Sequence, residues 1–214
     1  MKRILLSFLL SLVFMALASA QTGVGKLFVA MPDSLLPLIS STVRDAIVHT
    51  YAGTGGTVHT DVFSHAVTLD TLTTDYLRLT TSESSRLELR LLQTTDSVTL
   101  VAAVTTIWGP QADSHIRFYN DQWHPIHWLE FPMPEVSAFL DEAPDSVAAE
   151  LPRIRQSLAE LPLISIEAQP EAPRFTLRLS PDLLDRDQKK VVASLLRPVT
   201  IEWDVEAFVR AKSK

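Results

Sequence analysis

The stretch of sequence that decides the fold is YLRLTTSESSRLELRLLQTTDSVTLVAAVTTIW, residues 76–108. Leucine, valine and alanine alternate with mostly polar neighbours in three successive parts of it, 77–79, 87–91 and 98–104. Serine, threonine, glutamate and aspartate fill the intervening segments 82–85 and 94–97, which is typical of turns. Because alternation with a period of two is typical of half-buried strands, the stretch predicts an antiparallel meander.

The meander is expected to extend over residues 57–128. In the strand 98–107, Val101, Ala103 and Ile107 place apolar groups on the second face as well, which predicts a central strand covered on both sides. Gly109 and Pro110 break this strand. A further strand then resumes over 115–119, and another returns over 123–128.

The segment before the meander predicts a helix over residues 33–53. An apolar residue recurs at every fourth position of this segment, which places one stripe along a helix face. The stripe consists of Leu35, Ile39, Val43, Ile47 and Tyr51. Asp33 or Ser34 can cap the start and Gly53 suits the end, whereas Pro37 is tolerated only near the first turn. We expect the stripe to cover the sheet.

The remainder of the chain, residues 132–214, begins as a proline-rich segment. Its prolines limit two predicted helical pieces, 135–141 and 145–161. A strand over 174–179, a helix starting at Ser180 and Pro181 and running to Leu196, and a strand over 199–205 follow. The predicted fold is therefore α+β: residues 21–131 form a mostly antiparallel β-meander packed against an N-terminal helix, and residues 132–214 integrate with it through a C-terminal strand-helix-strand element.

Residues 1–20 read as a secretory signal peptide. Lys2 and Arg3 precede an apolar run that ends in the small residues Ala18-Ser19-Ala20. Removing this leader changes the formal net charge from −6 to −8, which disfavours nucleic acid as a partner. The chain has no cysteine and no later apolar segment long enough to span a bilayer. These features predict an exported protein, periplasmic or extracellular, held together by packing alone.

Four segments carry a family resemblance: MPDSLLPL at 31–38, YLRLTTSESS at 76–85, GPQADS at 109–114 and FYNDQW at 118–123. Over residues 31–128 the chain resembles an exported bacterial family classed as a domain of unknown function. The resemblance implies export and a shared fold. It carries no catalytic residue, because the family has no assigned activity.

The densest group of polar and aromatic side chains lies between residues 109 and 128, and we regard it as the candidate functional surface. It comprises Asp113, Ser114, His115, Tyr119, Trp123, His124 and His127. Serine, histidine and an acid together suggest a hydrolase. However, Ser114 and His115 are adjacent on a strand and point to opposite faces. The alternative is a strand connection in which Asp113 and Ser114 bond nearby backbone and the aromatic rings pack.

Other patterns in the sequence give weak support for catalysis. His124 and His127 could ligate zinc together in a suitable turn, but no cysteine or histidine–glutamate helix motif supports them. A glycosidase pair could come from Glu83 and Glu88, or from the acids Asp141, Glu142 and Asp145, but only if the fold spaces them correctly. We find no cofactor motif, so we expect no cofactor and favour a protein that is not an enzyme.

The sequence favours a noncatalytic binding or scaffolding role in the bacterial envelope, with an envelope protein or a small ligand as partner. Two alternatives stay open. A curved meander around a helix can enclose an apolar cavity and carry a lipid or another hydrophobic ligand. The other alternative is a hydrolase that uses the region from Asp113 to His127.

Overall fold

A computed structural model describes residues 23–55, 58–62, 65–109, 111–142, 144 and 148–211. The predicted signal peptide, residues 1–20, lies outside these ranges. Within them the chain forms ten strands and four α-helices. The helices are α1 (Val24–Ala30), α2 (Ser41–Thr54), α3 (Leu151–Glu160) and α4 (Arg186–Ala193).

The predicted meander is confirmed as a six-stranded antiparallel sheet in the order β1-β2-β3-β4-β5-β6. Its strands are β1 (Val58–Val62), β2 (His65–Leu72), β3 (Tyr76–Ser82), β4 (Ser85–Gln93), β5 (Thr99–Trp108) and β6 (Ala112–Asn120). Strand β5 lies between β4 and β6, and it is covered on both sides as predicted, because Val101 and Ala102 are buried in different core clusters.

The predicted strand over 123–128 is wrong. The sheet ends at β6, and the chain then returns beside it through a single bridge between Tyr119 and Pro125. The Ile126 amide still donates to the Phe118 carbonyl at 2.9 Å. Proline has no amide hydrogen, so Pro125 donates no hydrogen bond to β6, and the pairing here stays a single bridge.

The predicted single helix over 33–53 is also wrong in its first half. Residues Asp33–Leu35 form one 3-10 turn, and α2 begins only at Ser41. Pro37 explains the break, because it lacks an amide hydrogen and disfavours helical backbone at the residue before it. A separate helix, α1, precedes the turn and was not predicted. Gly55 ends α2 in the left-handed conformation (φ 66°).

Both N-terminal helices pack on one face of the meander. Phe28 of α1 and Ile47 of α2 share a core cluster with Leu77, Leu89 and Val101 of the sheet. Because the Leu and Val side chains of successive strands stack on this face, the helix layer buries them from water, at roughly 25 cal/mol for each Å² of apolar surface.

The C-terminal strand-helix-strand element is confirmed as part of a second antiparallel sheet. This sheet has the order β10-β9-β8-β7. Its strands are β7 (Ile164–Ala168), β8 (Arg174–Leu179), β9 (Val199–Asp204) and β10 (Ala207–Arg210). Helix α4 connects β8 to β9, which pair antiparallel. Strands β7 and β10 were not predicted.

The helical predictions in the C-terminal half need correction at their ends. Helix α4 starts after Asp185, whose carboxylate accepts hydrogen bonds from the Asp187 and Gln188 amides, and not at Ser180. The predicted piece over 135–141 is only the 3-10 turn Val136–Phe139. The piece over 145–161 contains α3, in which Pro152 is tolerated in the first turn, whereas its first residues, 145–147, lie outside the described part of the chain.

The second sheet packs on the face of the meander opposite α1 and α2. One core cluster joins Leu100 and Phe118 of the meander to Phe139, Phe175 and Trp203 of the C-terminal half. Residues 21–131 and 132–214 therefore share a hydrophobic core.

Candidate functional site

Strand β6 distributes the predicted site residues over two faces. Tyr119 belongs to the core cluster on the helix side, and His115 lines the same side. Ser114 lies on the opposite side, where it reaches the second sheet. His124 and His127 follow the strand and are exposed. The structure thus brings His115, Tyr119 and Trp123 together in one groove, and His127 meets Tyr119 in a second, neighbouring groove. Ser114, His124 and the exposed Asp113 line neither groove.

His115, Tyr119 and Trp123 line a groove of about 390 Å³ between the meander and the segment after α1. We call it the β6 groove. Its lining residues are Met31, Ser34, Leu35, Leu87, Ala103, Thr105, His115, Arg117, Tyr119 and Trp123. Leu87 and Ala103 come from the central strands, and Met31 and Leu35 come from the chain that leaves α1. The groove therefore has a mixed lining, in which polar groups, several of them from β6, share the surface about equally with apolar ones.

Trp123 closes one end of the groove and is held in an unusual backbone conformation. Its φ of 63° lies in the left-handed region, which costs energy for a residue with a bulky side chain. The Asn120 carboxamide compensates, because its Oδ1 accepts hydrogen bonds from the Gln122 and His124 amides at 3.0 and 2.8 Å. The Trp123 indole donates to the Leu27 carbonyl at 3.0 Å, which anchors this turn to α1.

Arg117 supplies a positive charge to the groove. Its Nε donates to Nε2 of His115 at 2.9 Å. No described carboxylate lies within ion-pair distance of its guanidinium, and its two Nη groups form no hydrogen bond to any described residue. Since Arg117 is exposed, these groups are accessible to a ligand.

Tyr119 adds a second polar group without a protein partner. Its side chain is 6% exposed, and its ring lies 5.4 Å from that of Trp123. No hydrogen bond joins its hydroxyl to a described residue, and this oxygen is not among the buried polar atoms that lack a partner, so it is accessible to solvent although most of the ring is buried. The groove therefore contains a hydroxyl that can donate to a bound molecule.

The wall of the groove opposite β6 is fixed by a buried arginine. Arg44 of α2 is fully buried and donates to the carbonyls of Val29, Met31 and Ile39. It also pairs with the Asp33 carboxylate at 3.0 Å. These contacts fix the position of the irregular segment between α1 and α2 relative to the sheet.

The hydroxyl of Ser114 is hydrogen-bonded to groups of both sheets. Its Oγ accepts from the Ile166 amide of β7 at 2.9 Å and shares a hydrogen bond with the Thr106 hydroxyl at 2.8 Å. Neither partner is a base, and His115 lies on the other face of β6. The hydroxyl thus links the edges of the two sheets, as expected of a strand connection.

Charged residues are buried between the two sheets, and sequence analysis named only Glu88 among them, as a member of a candidate glycosidase pair. Glu88 of β4 is fully buried, and its Oε1 accepts from the Tyr76 hydroxyl at 2.6 Å and from the Arg78 Nη2 at 3.2 Å. Burial raises the pKa of Glu88, and hydrogen bonding to Tyr76 and the charges of Arg86 and Arg78 offset this only in part. Burial likewise raises the pKa of Tyr76, together with the negative charge of Glu88.

This buried network connects the sheets and does not form a catalytic pair. Arg78 reaches Glu167 of β7 at 2.7 Å, and Arg90 donates to the Pro170 carbonyl at 3.0 Å. Glu83, the other member of the candidate glycosidase pair, is exposed in the β3–β4 turn, whereas Glu88 is inaccessible to a sugar.

The described residues contain no group of three or more histidine, aspartate or glutamate side chains placed to hold a metal ion. His124 lies near Asn120, with 3.5 Å between Nδ1 and the carboxamide nitrogen, and has no carboxylate partner. Among the helices that the structure describes, none has the length and hydropathy of a membrane span.

The residue of the groove that sequence analysis missed on β6 is Arg117. A signal for it was present, since residues 115, 117 and 119 alternate on one strand and share a face. Met31 and Leu35 could not be found in this way, because their approach to β6 depends on the break in the predicted helix.

Comparisons with known proteins identify a family and a fold. A family model described as "Protein of unknown function (DUF3256)" matches residues 16–208. A solved structure, of a domain of an uncharacterized protein from Porphyromonas gingivalis W83, superposes with a TM-score of 0.76 at 24% identity and covers 90% of this chain and 100% of its own. No curated protein matches. At this identity the structural likeness establishes the fold alone.

Proposed function

From the premise that the chain belongs to the DUF3256 family, we propose that it is a noncatalytic exported binding protein that holds a small organic ligand in the β6 groove. One observation carries this proposal: a groove of mixed polar and apolar lining to which Tyr119 and Arg117 both contribute, with a hydroxyl and two Nη groups that have no hydrogen-bond partner in the described chain. Because these polar groups form no hydrogen bonds within the protein, they can form hydrogen bonds with a bound ligand.

The size of the groove supports a small ligand. Binding pockets for small molecules usually measure about 300–1,000 Å³ and combine an apolar lining with a few polar groups that fix orientation. The β6 groove, at about 390 Å³, is at the lower end of this range. The alternative of a carrier for a hydrophobic ligand uses the same groove, whereas no observation favours the hydrolase.

An NMR titration tests the proposal. Backbone amide and indole resonances of the protein are followed while anionic, neutral and cationic organic fragments are added one at a time. We expect at least one class to shift the resonances of His115, Arg117 and the Trp123 indole in a saturable manner. The exposed indole of Trp128, outside the groove, serves as the internal reference.

A matched pair of variants locates the binding. Ala103→Phe fills the floor of the groove without removing a polar group, and Ala207→Phe places the same ring on the exposed edge strand β10. Binding should be lost in Ala103→Phe and retained in Ala207→Phe. If no fragment shifts the groove resonances, or if Ala103→Phe binds as the parent does, the proposal is wrong.

The exported location is a separate part of the proposal and rests on residues 1–20. Mass spectrometry of protein from the native cell should find an N-terminus near Gln21 in the periplasmic or extracellular fraction. An intact Met1 on cytosolic protein would contradict it.

A further inference from the structure

We infer that the ligand of the β6 groove is a monocarboxylate joined to an apolar chain or ring of roughly a dozen non-hydrogen atoms. This inference depends on the proposed function and names the chemical class of its ligand. Arg117 and Tyr119 bind the carboxylate, and the apolar lining takes the remainder of the molecule.

The charges of the groove select an anion. Arg117 supplies the positive charge of the lining, because His115 serves as a hydrogen-bond acceptor to it, and no acidic residue lines the groove in the described chain. Asp33, which belongs to the neighbouring turn, is already paired with Arg44 at 3.0 Å. In a protein of formal net charge −6, this is a place where an organic anion meets an uncompensated positive charge.

The hydrogen bonds of Arg117 favour a carboxylate. His115 occupies the Nε hydrogen at 2.9 Å and thereby fixes the plane of the guanidinium. The two Nη groups are left to form the paired, parallel hydrogen bonds that a planar carboxylate accepts. The Tyr119 hydroxyl adds one more donor. This set suits a single carboxylate, since a phosphate dianion would need further donors or a second cation.

The apolar lining sets the size of the remainder. Leu87 and Ala103 form the floor, and Met31 and Leu35 form the wall beside the Trp123 ring. A groove of about 390 Å³ holds about thirteen groups of the size of a water molecule, taking roughly 30 Å³ for each. A medium-chain fatty acid and a small aromatic acid both fit this volume and share the recognised chemistry.

Isothermal titration with two acids and their isosteric amides tests the inference. The probes are decanoate and decanamide for a lipid source, and 3-phenylpropionate and 3-phenylpropionamide for an aromatic source. We expect at least one acid to bind about tenfold or more tightly than its amide, because a hydrogen-bonded charge contributes more than a neutral one. The better acid identifies the source.

Variants identify the residues that bind the carboxylate. Arg117→Gln should reduce affinity for the acid about tenfold or more and leave affinity for the amide unchanged, and Tyr119→Phe should weaken the acid several-fold. Arg155→Gln removes an exposed arginine on α3, outside the groove, and should bind as the parent does. Amide NMR spectra confirm that each variant is folded.

The outcomes separate the two proposals. If amides and acids bind the groove equally, or if Arg117→Gln binds the acid as tightly as the parent, the carboxylate inference is overturned while the binding function stands. If neither acids, amides nor the fragments bind, the proposed function fails together with the inference.

Discussion

At the scale of single residues, Gly23 shows how a backbone contact attaches α1 to the meander. Its φ is 110°, and a Cβ added there would lie 2.0 Å from the Thr74 carbonyl oxygen. The next amide, of Val24, donates to that same carbonyl at 2.9 Å. Only glycine permits this approach, because any side chain would clash with backbone that is itself in a tight turn.

We predict that Gly23→Ala lowers the free energy of unfolding by at least about 2 kcal/mol, since it adds a backbone clash to an unfavourable φ. Gly55→Ala is the matched control. Gly55 also has a positive φ, 66°, but its added Cβ would contact nothing within 4 Å. It should therefore lose only about 1 kcal/mol. Urea denaturation measures both, and equal losses would contradict the role of the Thr74 contact.

Glu88 gives a prediction for pH dependence. Burial raises the pKa of this carboxyl in the folded protein, so the folded state holds its proton at pH values where the unfolded chain has lost it. Its contribution to stability is therefore present at pH below the unfolded pKa of about 4.3 and falls as pH rises through the folded pKa. Glu88→Gln removes this titration.

The stability of Glu88→Gln relative to the parent should therefore increase as the pH rises from 4 towards 7. Chemical denaturation of both proteins at several pH values measures the difference. Glu83→Gln, in the exposed β3–β4 turn, is the control and should follow the parent throughout. A constant difference for Glu88→Gln, or one that decreases with pH, would contradict a raised pKa.

At this scale the sequence indicated which residues are candidates for a site better than it indicated which residues contact one another. The group from Asp113 to His127 was recognised by its polar and aromatic content, and three of its members line the groove. Which ones do so depends on the alternation of β6 and on the positive φ of Trp123. Glu88 and Arg90 were interpreted as the polar sides of a strand, because alternation alone does not indicate whether a second sheet covers that side.

At the scale of secondary structure elements, Arg44 determines how α1, α2 and the turn between them fit together. Its guanidinium donates to the Val29 carbonyl in the last turn of α1 and to the carbonyls of Met31 and Ile39, which lie outside any helix or strand. It also lies 5.9 Å from the centre of the Phe28 ring. Because α1 has only seven residues, such contacts must replace the hydrogen bonds that a longer helix would supply.

We predict that Arg44→Met lowers the free energy of unfolding by roughly 3 kcal/mol or more, because buried carbonyls left unsatisfied cost about 1–3 kcal/mol each. Asp33→Asn removes the other partner of the ion pair, whose side chain is 59% exposed, and should cost less than about 1 kcal/mol. Thermal unfolding followed by circular dichroism compares them. Similar losses in both variants would show that the ion pair, and not the carbonyl contacts, carries the stability.

Helices and strands with a regular hydrophobic period were predicted well. Elements whose ends depend on a break in that period, such as the one at Pro37, were not. Strands β3, β4 and β5 follow directly from alternating leucine and valine. The helix over 33–53 was predicted from a four-residue period that continues through Pro37, although the chain turns there. Strand β7 alternates too, but it is short and lies in a segment whose prolines indicated only helical pieces and connections.

At the scale of the whole molecule, the groove exists because the helix layer is smaller than the sheet that it covers. On the helix side of β5, Val101 is buried beneath α1 and α2, whereas Thr105 and Ile107 further along the strand are exposed. The β6 groove lies at this boundary. The second sheet covers the opposite face, so the β6 groove and the buried charge network lie on different sides of the meander.

The α+β class and the meander could be predicted because alternation and turn residues are local signals. The second sheet could be predicted only in part, since pairing of β7 and β10 with β8 and β9 depends on contacts between distant residues. The groove required both the broken helix and the relative extent of two layers. Neither property can be predicted from any single segment of the sequence.

The most direct test of the central claim is a crystal structure of the protein with decanoate or 3-phenylpropionate, whichever binds more tightly. The proposal predicts the carboxylate within hydrogen-bond distance of the Arg117 Nη groups and the Tyr119 hydroxyl, with the apolar part against Leu87 and Ala103. An acid bound elsewhere, with water still occupying the β6 groove, would contradict it.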